Sequence, residues 1–128
     1  MADINVLNIV SQIHYSHNYW IILLPAIWAL ADVITGVIQA HINGIKNSSV
    51  MRKGLYRKAG ELLLVLLSLV VCFAFDFPLQ VAVVVSVYVV WMETQSIAEN
   101  LKAAGVPIPA WVTTKVNEIN NQIDNGNI

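Results

Sequence analysis

Residues 62–92 read LLLVLLSLVVCFAFDFPLQVAVVVSVYVVWM and carry one charged side chain, Asp76. A stretch this long and this apolar has few solutions. It exceeds a single crossing of a hydrocarbon core, which takes roughly 20 residues as a helix. Asp76, Phe77 and Pro78 interrupt it with a turn signal. The second half, VAVVVSVYVV, would suit a buried β-strand in water. In lipid an open strand edge strands backbone donors and acceptors, so helix is expected instead.

Composition decides the solvent. Of 128 residues, 57% are hydrophobic and 12% charged, about half the charged fraction of a soluble domain. Too few charges remain to cover a water-facing surface. Cys72 is the single cysteine; it lies within the apolar run and reads as an inert packing residue. The N-terminus holds Asp3 and no Lys or Arg, so the basic start of a signal peptide is missing and insertion is expected to rely on retained spans.

An earlier apolar segment begins with Tyr19 and Trp20, rings that favour the membrane interface, and has Pro25 in its first two turns. The expected fold is therefore an all-α integral membrane protein with three transmembrane helices over 19–40, 59–76 and 78–97. A re-entrant hairpin over 62–92 remains open, because each half of that run is short for a full crossing. Residues 1–18 form an N-terminal arm with a thin apolar stripe (Val6, Ile9, Val10, Ile13). Residues 19–109 form the membrane domain. Residues 110–128 form a tail in which Val112, Val116, Ile119 and Ile123 repeat at helical spacing, so both termini are expected to carry interfacial helices.

Charge sets orientation. Five of the seven basic residues, Lys46, Arg52, Lys53, Arg57 and Lys58, stand in the loop 41–61. Positive loops stay in the cytoplasm, which predicts the N-terminus outside and the C-terminus inside. Within the loop Met51, Leu55, Ala59 and Leu62 share one helical face, as in a basic amphipathic helix on the membrane surface.

The first span has two unlike sides. At 100° per residue Leu23, Ile27, Leu30, Ile34 and Ile38 fall on one. Ala29, Asp32, Thr35, Gly36, Gln39 and Ala40 gather toward the other, a small and polar face suited to close helix packing. A carboxylate exposed to lipid costs several kcal/mol, so Asp32 must face protein or water. Three readings stay open: pairing with a basic residue of the loop or of a neighbouring subunit, an interhelical hydrogen bond in an oligomer or water-filled lesion, and a proton or transport path. Catalysis finds no support. His14 and His17 stand three apart without a further metal ligand. No phosphate loop or nucleophile motif occurs, and the basic loop lacks the aromatics of a nucleic-acid binder.

Three segments in order, DVITGVIQA (32–40), SSVMRKGLYRKAGE (48–61) and ETQSIAENLKAAGVPIP (93–109), resemble the phage holin family that includes the clostridial toxin-secretion holins. Asp32, Thr35 and Gly36 match its motif ending the first span. Met51, Arg52, Gly54, Leu55, Arg57 and Lys58 match its loop, and Glu93, Ser96, Ile97, Glu99 and Asn100 match the segment after its third span. Members often have a longer connection between the second and third spans; here it is the short turn at Asp76. The resemblance implies a multi-pass, non-enzymatic protein of the bacterial host membrane that needs no cofactor. Such a protein associates with copies of itself into lesions, and through them an endolysin or a large toxin leaves the cell. An antiholin that restrains a holin would share these features, and a small ion channel or transporter is the remaining alternative.

Overall fold

The computed structural model describes residues 7–8, 18–45 and 47–126. Within them the chain forms α1 (Trp20–Ile42), α2 (Ser48–Ala74), α3 (Gln80–Ala103) and α4 (Ala110–Asp124). His14, His17, Lys46 and the N-terminal apolar stripe lie outside the described residues.

The basic segment and the second apolar segment form a single helix. The expected separate loop helix and the span starting at residue 59 are therefore corrected to one continuous α2 of 27 residues, about 40 Å long. Its start is set by Asn47, whose Oδ1 accepts from the backbone N–H of Ser49 at 3.1 Å and of Val50 at 3.4 Å. That side-chain cap satisfies donors which the first turn leaves open. Gly54 does not break the helix; its propensity penalty of about 1 kcal/mol is spread over many turns.

The ends of α1, α2 and α3 share one chemistry. Ile45 N–H donates to Ala40, Phe77 N–H to Cys72 and Val106 N–H to Leu101, at 2.9, 3.0 and 3.0 Å. Each bond closes around a residue with positive φ: Gly44, Asp76 and Gly105. This is the Schellman arrangement, which returns donors to the last carbonyls of a helix. Asp76, expected as a turn, fills it as one of the side chains that tolerates a left-handed backbone.

α1 and α3 run parallel, with α2 antiparallel to both. Polar rungs tie α1 to α3 along their length: Ser86 Oγ donates to the Ile21 carbonyl at 2.7 Å, Trp28 Nε1 to Thr94 Oγ1 at 2.9 Å, and Asn43 Nδ2 to the Ala103 carbonyl at 3.0 Å. The first rung answers a defect. Pro25 has no N–H, so the Ile21 carbonyl four residues earlier loses its helical donor. Ser86 supplies one from the neighbouring helix, the remedy that lets proline sit inside a membrane helix.

At one end of the bundle Ile21, Val65, Leu69, Cys72, Ala82 and Val89 pack into a dry core. The outward faces are apolar as well. Leu23, Ile27, Leu30, Ile34 and Ile38 of α1, Leu63 and Leu67 of α2, and Val84 and Val87 of α3 are all exposed. An apolar belt this broad suits lipid rather than water. Both α1 and α3 are long and apolar enough to cross a membrane. In α4 no residue is buried, and the helix touches α3 through Asn120, whose Oδ1 accepts from Trp91 Nε1 at 3.2 Å and from Gln95 Nε2.

Candidate functional site

Away from that core, about midway along α1 and α3, the helices bring three buried charged residues together. Asp32 is 5% exposed, Lys58 8% and Glu93 fully buried. Lys58 Nζ donates to Asp32 Oδ2 and, at 2.7 Å, to Glu93 Oε2. One ammonium thus joins α1, α2 and α3. Asp32 Oδ1 accepts from Asn100 Nδ2 at 2.8 Å, and the same amide nitrogen lies 3.2 Å from Thr35 Oγ1. Both oxygens of Asp32 are satisfied, as a carboxylate held away from water requires.

A second pair extends the cluster toward the surface. Arg57 Nε lies 3.3 Å from Glu61 Oε1, four residues on, and the Glu61 side chain is 13% exposed. Arg57 is exposed, Glu61 largely covered and Glu93 fully buried. A groove of about 780 Å³ opens beside the cluster, lined by Gly36, Gln39, Ala40, Gly54, Arg57 and Asn100 among others.

The residues singled out in the sequence divide as follows. On α1, Ala29 and Asp32 are buried, Thr35 and Gly36 border Asn100, and Gln39 and Ala40 line the groove. Of the basic set, Arg52, Lys53 and Arg57 are exposed while Lys58 turns inward. Position explains the split: Lys58 is a full turn beyond Gly54, on the α2 face that continues into Val65, Leu69 and Cys72. Of the third-span motif, Glu93 and Asn100 enter the cluster, Ser96 lines the groove and Glu99 stays exposed. Glu61 and Ser86 were not singled out. The available signal was depth: Glu61 lies one turn from Lys58, and Ser86 opposes a proline on a parallel helix.

Among the described residues no three His, Cys, Asp or Glu side chains are set to hold a metal ion. What the arrangement provides is a buried, charge-assisted tie between three helices that are otherwise apolar outside and apolar at the far end. A model of the bacteriophage holin family matches residues 9–121. The chain belongs to the bacteriophage holin family. No curated protein and no solved structure matches it. Membership places this holin among membrane proteins of phage lysis, and it places Asp32, Lys58 and Glu93 inside the matched region.

Proposed function

We propose that this holin crosses the bacterial cytoplasmic membrane three times, with its N-terminus outside and its C-terminus inside, and that the ion cluster is the latch that keeps the bundle closed before lysis. The observation that carries the reading is Lys58, buried between Asp32 and Glu93 and binding three helices with one side chain. Sites 19–109 act as the membrane domain, and 110–128 as a cytoplasmic tail. α2 spans with its apolar residues from 62 onward. Arg52 and Lys53 remain at the cytoplasmic surface, while Lys58 enters the membrane only because two carboxylates neutralise it.

Closed, the bundle shows lipid its aliphatic faces and keeps its polar groups paired inside. Opening separates Lys58 from its partners and exposes the face made by Asp32, Thr35, Gly36 and Gln39 together with the groove. Those groups then need new partners, which a second copy or water supplies. Lateral association of many copies through this face gives a lesion wide enough for a folded cell-wall hydrolase. The bilayer and copies of the same chain are thus the direct partners, and an endolysin is the cargo.

The test is inducible expression in a bacterium holding a muralytic enzyme in its cytoplasm. The expected result is a lag, then abrupt lysis and release of the enzyme. Growth without loss of membrane potential at any expression level would contradict the reading. Ion-selective conductance without enzyme release would favour a channel. A tag at the N-terminus is expected to be reachable by a membrane-impermeant reagent, and one at the C-terminus only after permeabilisation.

A further inference from the structure

The groove follows α1 from Asp32 past Ala40 and α2 from Ser48 to Lys58, with Ser96 and Asn100 of α3 closing one side. Its lining mixes apolar side chains such as Val37 and Leu55, both close to half exposed, with the amides and hydroxyls of Gln39, Ser96 and Asn100. Gly54 also lines it, and a Cβ there would meet nothing within 4 Å. At that position neither α1 nor α3 fills the space.

Three charged groups line the groove: Asp32, Arg57 and Lys58. Asp32 and Lys58 are bound to each other, and to Asn100 and Glu93 respectively. Arg57 is different. Its side chain is 61% exposed, with Nε 3.3 Å from Glu61, and a guanidinium has five N–H donors, so most stay open. Arg52 and Lys53 stand exposed on the same helix, and no acid precedes Glu61 on α2. The positive pole of the α2 dipole lies at Ser48, on the groove. On α3 the exposed Glu99 is not part of the lining. The open side of the groove is thus cationic.

Position narrows the anion that fits. Leu64 lies seven residues beyond Arg57, on the same helical face, and is 50% exposed. The open guanidinium therefore stands two turns from surface that faces lipid. Basic pockets between membrane helices take up anionic headgroups. We propose that the groove seats the headgroup of one anionic phospholipid, with its phosphate on Arg57 and its acyl chains running along Leu64 into the bilayer. The lipid covers the groove in the resting chain and must leave before a second copy can use that face. The proposal rests on the membrane-spanning reading for the depth of Arg57, and it concerns the chain before any lesion forms.

Native mass spectrometry of the full chain released from detergent micelles tests this, with phosphatidylglycerol as the probe and zwitterionic phosphatidylcholine as the comparison. The expected result is one phosphatidylglycerol retained per chain and no phosphatidylcholine. Gly54→Leu fills the open space and favours the helix, so it should lose the lipid while circular dichroism shows the helices intact. Arg57→Gln should weaken retention roughly fivefold, the share of one basic residue facing anionic lipid. Lys115→Gln, an exposed base outside the groove, should leave it unchanged. If Gly54→Leu fails to fold, Arg57→Gln at its exposed position decides. Equal retention of the two lipids, or retention unchanged in both groove variants, would overturn the proposal. So would displacement of the lipid by inorganic phosphate at equal concentration, or a dimer that carries no lipid, which would give the groove to a second copy. Lysis by a chain that retains no lipid would remove this proposal and leave the lysis reading standing.

Discussion

The two ends of the bundle are held by different forces. At one end Ile21, Val65, Leu69, Cys72, Ala82 and Val89 interdigitate without a charge. At the other, Asp32, Lys58, Glu93 and Asn100 are joined by directed bonds. In water the apolar end would dominate. In a bilayer, lipid tails are as apolar as Leu69, so that end gains only packing over contact with lipid. The charged end has no such substitute, since lipid offers nothing to an ammonium or a carboxylate. The apolar end therefore brings the helices together, and the charged end fixes their register and resists their separation.

Substitutions that break this contrast are expected to rank accordingly. Lys58→Met leaves two buried carboxylates facing each other; removing one member of a buried ion pair costs about 3–5 kcal/mol. The resting bundle should loosen and lysis onset should come earlier, read from culture turbidity after induction. Asp32→Leu should act in the same direction, and lysis with unchanged timing and extent would rule out the latch. Leu69→Ala, at the apolar end, is expected to cost less than the roughly 2–5 kcal/mol of a soluble core, because lipid or a shifted helix refills the space. Denaturation in mixed micelles measures both ends on one scale.

Ser86→Ala sharpens the comparison within the α1–α3 contact. It removes the donor to the Ile21 carbonyl and should cost about 0.6–2 kcal/mol, the range of interhelical hydrogen bonds in membranes. Combined with Pro25→Ala the loss should largely vanish, because residue 25 then supplies its own N–H to that carbonyl. The smallest effect is expected for Gly36→Ala. A methyl there meets Asn100 Nδ2 at 3.5 Å, ordinary contact, so folding and lysis timing should stay near wild type.

Much of the apolar end was legible because its signal is local. Nine of the ten residues in the run VAVVVSVYVV are hydrophobic and name their solvent, and the aliphatic side of α1 followed from angular spacing. The bounds 19–40 and the observed Trp20–Ile42 differ by a turn's fraction. The continuity of α2 was harder: Gly54 and the change from charged to apolar residues suggest a boundary, while the cap at Asn47 that starts the helix is a single side chain. The cluster was legible in half. Asp32 stood out, and a basic residue of the loop was one of its open partners. Glu93 read as a motif residue and Glu61 as part of a charged loop. Their place at the cluster depends on how α2 returns beside α3, which is set by long-range packing and not by the spacing of neighbours.

The central claim is that Lys58 and Asp32 act as one tie, so a double-mutant cycle on the full chain in mixed micelles tests it most directly. Asp32→Asn and Lys58→Met, singly and together, should be non-additive by about 1–3 kcal/mol, with the double variant less destabilised than the sum of the two. Strict additivity would show that the two residues stabilise the bundle independently and would contradict the latch.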